Sequence, residues 1–453
     1  MARNTTPSFR KSLLALAIGA ALAPSEAWAL DLAESPPGTI EPYVRPNVIN
    51  SVDDSGSMDW KVANTQTGDA AITEPNSDGS WPANSKRINI LKYSLKSVFD
   101  PTHPRFDASL MPDKKIRIAW QTLHNNGAAP DAKNVDSASM KTNSMRILQG
   151  SHRTNFLNFV TSLKASNGTP SHLMFNQADA YMRQPLGASS AWASDPGNTG
   201  APYLACRRSY HIFMSDGRWN GASLELPDTS KRDNATSLTL PDGTVYGGPT
   251  AAAIAKTALY RDTHSKTLAD WAFYSWAVQA QSSGMEGTLE PAADYRSAPA
   301  TENFGNDSNG TPAILERYWN PRYNPATWPH MVTHSIGFSN DAVTWPGAAP
   351  TIVAPPVAER VPFSYSGSFP DFVTGARTWP AMDAENKRAL DLWHAALNGR
   401  GRFYAVTKGE ELEKAFRDIF AQINTSTAPD LSSSATSGSN VSRSEVGKYT
   451  AAY

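Results

Sequence analysis

Three short segments carry oxygen-bearing side chains in patterns that could hold a hard cation. Asp53-Asp54-Ser55-Gly56-Ser57 sets one carboxylate and two hydroxyls at alternate positions directly after an apolar stretch. Thr169 follows Gly168 and opens a helical pattern, and Asp216-Gly217 closes a second apolar run. Each segment alone reads as an ordinary turn, because Asp and Ser are common turn formers. Together they read as a site. Carboxylate and hydroxyl oxygens suit Mg²⁺, Mn²⁺ or Ca²⁺ and do not choose among them. Neutral hydroxyls also leave a bound ion electron-poor and open to an outside carboxylate. On this reading Ser55 and Ser57 coordinate directly and Thr169 directly or through water. Asp53 and Asp216 neutralise charge and hold coordinated water.

No other set of residues offers comparable chemistry. The nine histidines form no metalloprotease motif, and His172 and His211, which flank the site segments, read as structural. No glycine-rich phosphate loop with lysine is present, so nucleotide binding has no warrant. A metal-activated hydrolase would need a base; Asp54 and Asp59 lie near the proposed ion but have no His or Lys neighbour in sequence. The expectation is a binding protein, not an enzyme. Trp60 and Trp219, just after the site segments, are candidates for a rim touched by a partner. Cys206 is the single cysteine, which excludes an intrachain disulfide and leaves either a buried thiol or an intermolecular bridge.

The elements that must position these residues alternate. Pro46 to Val52, Lys114 to Leu123, Met145 to Gln149, Arg208 to Ser215, Met331 to Phe338 and Gly401 to Val406 read as strands, the third at an edge. Helical spacing marks Ser85 to Phe99, with Ser85 as N-cap, a segment carrying Phe156, Phe159, Val160 and Leu163, and His172 to Met182. It marks Thr267 to Gln279, Ala384 to Leu397 and the amphipathic stretch Gly409 to Ile423 as well. Strands alternating with helices predict an α/β, doubly wound, mostly parallel sheet flanked by helices, with ligand loops at the carboxyl ends of its strands.

Polar stretches interrupt this pattern at Thr65 to Asn84, Gly187 to Tyr203, Gly221 to Pro249, Ser282 to Pro325 and Ser339 to Trp379. They exceed ordinary connections and read as surface insertions or lids. One large domain over 46–424 is expected, after a lead-in at 30–45. Residues 1–29 read as a signal peptide: Arg3, Arg10 and Lys11 precede the apolar run Leu13 to Leu22, and Ala27-Trp28-Ala29 offers a cleavage site. That run is shorter than the roughly 20 residues that span a bilayer, and no later one suffices, so export without an integral membrane segment is expected. Residues 425–453 turn to Ser, Thr, Gly and Asn and read as a flexible linker or tail. With 41 Lys plus Arg against 42 Asp plus Glu, no basic field invites nucleic acid.

The three segments Asp53-x-Ser55-x-Ser57, Thr169 and Asp216-Gly217 resemble the metal-ion-dependent adhesion site of von Willebrand factor A domains. The stretch Cys206 to Asn220, the pair Trp319-Asn320-Pro321 and Pro325 to Thr333, and Asp391 to Tyr404 resemble the PilC/PilY family of type IV pilus biogenesis and tip-adhesin proteins. This resemblance spans nearly the whole mature chain and only the amino-terminal half of a typical member. Members continue into a carboxy-terminal β-propeller with a calcium loop linked to pilus extension and retraction, and nothing after Ser432 has the composition for one. The resemblance implies a von Willebrand factor A-like fold and adhesion through one divalent cation. The implied partners are minor pilins, pilus assembly proteins and host or abiotic surfaces, at the periplasm, outer membrane or pilus tip. A passive scaffold with a fold-stabilising metal, or a truncated fragment, is the alternative.

Overall fold

The strand that carries the first site segment into place, β1 (Asn47–Val52), is buried at all six positions. Such burial is what a strand with neighbours on both edges and helices over both faces requires. β1 pairs in parallel with β2 (Arg117–Thr122) on one side and β4 (Ser209–Ser215) on the other. β5 (Met331–Phe338) lies parallel to β4, and β6 (Arg400–Val406) parallel to β5. β3 (Arg146–Ile147) closes the far edge antiparallel to β2. The order β3-β2-β1-β4-β5-β6 makes an α/β fold with a mixed, mostly parallel central sheet. The computed structural model describes residues 43–124, 135, 141–221, 223–343, 365 and 368–427. The expected signal peptide, most of the lead-in and the tail beyond Thr427 lie outside the described residues.

Side chains that alternate along the strands divide between two cores, as the two-residue period of a strand demands. On one face Val48, Val52, Ile118, Trp120, Ile212 and Met214 pack with α1 (Arg87–Phe99), α2 (Gly150–Ser162) and α6 (Gly409–Ser426). On the other Ile49, Ala119 and Phe213 pack with α3 (Ser171–Met182), α4 (Leu268–Ala277) and α5 (Ala389–Asn398). α4 is buried all round, so its free amino-terminal N–H groups need partners inside the protein. Thr267 and Asp270 form a capping box there, and the Asp391 carboxylate of α5 accepts from Leu268 N at 2.8 Å and Ala269 N at 3.1 Å. α6 is capped by Glu411, which accepts from Thr407 N at 2.9 Å.

Every expected strand and helix of the central layer is present within a few residues, with local corrections. Ser85 is not the cap of α1: its hydroxyl donates to Pro82 O at 2.7 Å, and the helix starts at Arg87 after Lys86. The helix expected from Ala384 is a 3₁₀ turn (Glu385–Lys387) followed by α5. α6 runs to Ser426, into the expected tail. The insertions are also more than surface loops. They hold two antiparallel hairpins, Ser237–Thr239 with Val245–Gly247 and Thr301–Asn306 with Pro312–Glu316. Their residues Trp192, Leu226, Leu238, Tyr246, Leu315 and Trp319 join the core beneath α4 and α5. Among the described residues, no helix is long and apolar enough to cross a membrane.

Candidate metal centre

β1 and β4 are neighbours whose chain connections leave in opposite directions across the sheet, which makes the gap beyond their carboxyl ends a topological switch point. Asp53 follows β1 and Asp216 follows β4, so the sheet itself sets the two carboxylates side by side. Both are fully buried. Asp53 Oδ1 accepts from Ser55 N at 2.7 Å, and Oδ2 accepts from Ser215 Oγ at 2.8 Å. These bonds fix the loop so that Ser55 Oγ lies 3.0 Å from Ser57 Oγ.

Thr169 reaches the same edge through backbone ties. Gly56 N donates to Asn167 O at 2.8 Å and Ser166 N to Asp54 O at 2.9 Å, which locks the first loop to the turn before α3. Thr169 N donates to Asn220 Oδ1 and Asn220 N to Thr169 O, both at 2.9 Å, which locks that turn to the loop after β4. A Cβ at Gly168 would lie 2.8 Å from Asn220 Oδ1, so glycine permits this approach. His124 adds another staple, its N donating to Asp54 Oδ1 at 3.0 Å and its Nε2 to Gly168 O at 2.7 Å. The loops bearing all five expected residues, Asp53, Ser55, Ser57, Thr169 and Asp216, are thus joined directly.

Sequence reasoning missed Arg87. Its Nη1 donates to Asp216 Oδ2 at 2.7 Å, while Asp216 Oδ1 accepts from Arg218 N at 3.2 Å. Burial lowers the Arg87 guanidinium and the Asp216 charge works against that. Burial, with the Asp216 charge second, pushes the Asp53 carboxyl up to about 7, against the hydrogen bonds from Ser55 and Ser215. The donor set fits a hard, oxygen-bound cation: two carboxylates and two adjacent hydroxyl oxygens at 3.0 Å. That spacing is close to the separation of neighbouring oxygens around an ion with bonds of about 2.1 Å.

Other expectations resolve as follows. Asp54 and Asp59 serve the loops: Asp54 anchors His124, and Asp59 pairs with Lys86 at 2.8 Å. Trp219 is not a rim residue; it is buried against His172 at 4.5 Å between ring centres, with the Arg388 guanidinium 4.4 Å above it. Trp60 is half-buried. His172 and His211 are buried, and His211 Nε2 bonds Ser51 Oγ at 2.8 Å. Cys206 is half-buried. A separate buried group, Asp233, Asp262 and His394, has side chains close enough together to hold a metal ion. It was not singled out from the sequence, because its members lie far apart in the chain and in no motif.

Over 320 residues the chain is 31% identical to the type IV pilus biogenesis factor PilY1 of Pseudomonas aeruginosa strain PAO1, a match that covers 69% of this chain and 24% of that protein. The factor of the same name from strain PAK is 31% identical over 318 residues, 69% of this chain and 23% of the relative. That from strain UCBPP-PA14 is 30% identical over 334 residues, 71% and 24%. The chain therefore spans about a quarter of the length of these curated relatives. No family model and no solved structure matches it.

Proposed function

We propose, starting from the relationship of this chain to the PilC/PilY family over the matched two thirds of its length, that it is an exported von Willebrand factor A-like domain serving type IV pilus biogenesis by metal-dependent protein binding. The domain extends over 46–424. Its site would be Asp53, Ser55, Ser57, Thr169 and Asp216 with one Mg²⁺, Mn²⁺ or Ca²⁺. The observation that carries this reading is the direct bonding of three loops at the switch point between β1 and β4. The sheet order with one antiparallel edge strand also supports the von Willebrand factor A assignment.

When bound, the ion supplies an electrophilic centre for a partner's carboxylate. The residues supply the rest. Asp53 orients Ser55 through its backbone N–H and is itself oriented by Ser215, while the Asn220 clasp holds Thr169. Arg87 offsets one of the two carboxylate charges, so a divalent ion would leave the site net positive and complementary to an Asp or Glu side chain. The partners in this reading are minor pilins or pilus assembly proteins, with host or abiotic surfaces in adhesion, and the location is the periplasm, outer membrane or pilus tip. The reaction class is binding, not turnover.

A scaffold reading has one observation in its favour: the Arg87–Asp216 pair satisfies Asp216 without a metal. Isothermal titration of the metal-stripped chain with Mg²⁺, Mn²⁺ and Ca²⁺, beside Ser55→Ala and Asp216→Asn, separates the two. Saturable binding lost in both folded variants supports the metal site. A pilin interaction that persists in folded Asp216→Asn favours the scaffold.

A further inference from the structure

The long connection between β4 and α4 comes back to α5 twice, each time with a carboxylate. Asp233 follows the turn Thr229–Lys231, Asp262 follows the turn Ala258–Tyr260, and His394 lies within α5. All three are buried, and one ligand-type atom from each lies within 4.8 Å of the other two. His394 Nε2 sits 3.1 Å from the carbonyl of Tyr260, which can only accept, so Nε2 carries the proton. Nδ1 then presents its lone pair, 3.6 Å from Asp262 Oδ2, while Asp233 Oδ2 lies 3.7 Å from the Nε2 edge, leaving Asp233 Oδ1 as that residue's unanchored oxygen. A ligating imidazole is commonly held in this way, with its far N–H fixed on a backbone carbonyl.

Each carboxylate is anchored through one oxygen. Asp262 Oδ1 accepts from His264 N at 2.7 Å, and Asp233 Oδ2 accepts from Asn398 Nδ2 at 2.9 Å. A second, independent feature points to a missing ligand: Asp233 Oδ1 is buried with no hydrogen bond of ordinary geometry, in a residue that is 0% exposed. A carboxylate oxygen can only accept when ionised, so what the site lacks is a donor or a cation. The sequence neighbour Arg232 pairs with Glu225 at 2.6 Å, and its charge also favours the ionised forms of Asp262 and Asp270 without bonding to Asp233 Oδ1.

We infer that Asp233, Asp262 and His394 bind a divalent transition-metal ion, Zn²⁺ or Mn²⁺, that ties the connection between β4 and α4 to α5. One imidazole with carboxylates suits these ions better than Mg²⁺ or Ca²⁺, which take oxygen alone. Because the site is closed to solvent, the ion is taken up as the chain folds. This site is distinct from the hydroxyl-rich one at the sheet edge, but α5 touches both. A Cβ at Gly217 would lie 2.8 Å from the Ala389 Cβ, and His394 is one and a half turns further along the same helix.

The test uses the tag-free full chain, unfolded in denaturant with chelator, refolded in the presence of Zn²⁺ or Mn²⁺, desalted and assayed for bound metal. Ser55→Ala, which disables the sheet-edge site, should retain one equivalent with a raised Tm, and adding His394→Gln or Asp262→Asn to it should remove both that equivalent and the Tm rise. The zinc-edge absorption spectrum of the zinc-loaded Ser55→Ala chain should show imidazole scattering with oxygen ligands, a signature that the all-oxygen ligand set proposed at Asp53 would not give. This spectrum decides the matter even if the double variants fail to fold. Three outcomes would overturn the inference: a folded Ser55→Ala chain that retains neither metal, as a proton shared by His394 and the two aspartates would produce; folded double variants that retain as much metal as Ser55→Ala; or bound zinc without imidazole scattering.

Discussion

Arg87 and Asp216 form an ion pair at 2.7 Å with side-chain exposures of 2% and 0%. The pair joins the first residue of α1 to the loop after β4, across the floor of the candidate metal centre. Arg87 Nε also donates to Lys61 O at 3.0 Å, so one guanidinium braces both the first site loop and the second carboxylate.

Removing one partner of a buried pair leaves the other charge without compensation, at a cost of about 3–5 kcal/mol. Arg87→Met should therefore lose roughly that much stability in chelator. A divalent ion beside Asp216 would supply the missing positive charge, so millimolar Mg²⁺ should restore part of the loss. Urea denaturation with and without the ion reads both effects. A loss that Mg²⁺ leaves unchanged would separate Asp216 from any cation.

Asp53→Asn tests the like-charge crowding at the same place. Burial and the Asp216 charge both disfavour the Asp53 carboxylate, and the amide keeps an oxygen for Ser55 N. Without divalent ions the variant should be as stable as wild type or more so, by about 1 kcal/mol. Its response to Mg²⁺ should vanish. Thermal unfolding in chelator and in Mg²⁺ gives the comparison, and an Asp53→Asn chain that still gains Tm with Mg²⁺ would remove Asp53 from the site.

The candidate site side chains were legible because turn-forming Asp, Ser and Thr residues follow apolar strands, and a switch point needs only strand order to bring their loops together. Arg87 was not. A cation at a helix amino terminus opposes the helix dipole, so local preference gives no hint that tertiary structure places one there. Asn220 was silent for a similar reason, since an Asn in a loop carries no period. The insertion hairpins bear turn signals, Asp242-Gly243 and Asp307 to Gly310. The three-residue strands of the first are too short to show alternation, and the second turns the apolar Ile314 outward, so the buried residues Tyr246 and Trp319 were hidden in polar context.

Trp319→Ala tests whether the insertions are structural. Trp319 is 5% exposed, its carbonyl accepts from Tyr260 Oη at 2.6 Å, and its ring lies 5.8 Å from Tyr246. Truncating such a ring costs about 3–5 kcal/mol, whereas a detachable lid would unfold independently at little cost. Chemical denaturation should show a single transition displaced by that amount. Mg²⁺ titration at the Asp53 site should be nearly unaffected, because the ring packs against Tyr246, Tyr260, Tyr318 and Arg400, none of which belongs to the site loops.

The acid limb of stability can be assigned to particular groups. His152 Nε2 donates to Ile118 O at 2.8 Å, its ring lies 4.9 Å from that of Trp120, and burial pulls its pKa down to about 4. The unfolded chain titrates near 6.5, so between about 4 and 6.5 it binds protons that the folded ring refuses. Stability from His152 is complete above 6.5 and falls as pH drops toward 4. His172 and His330, also pulled to about 4, act in the same direction. Asp391 and Asp270, raised to about 7 by burial, act in the opposite one, since their stability is lost as pH rises. The whole-protein profile mixes these terms, and a single substitution isolates one. His152→Gln keeps an N–H for Ile118 but cannot titrate. Its stability difference between pH 7 and 4.5 should be smaller than that of wild type by about 2 kcal/mol, read by urea unfolding at each pH. Equal slopes in the two proteins would mean that His152 is already protonated in the fold.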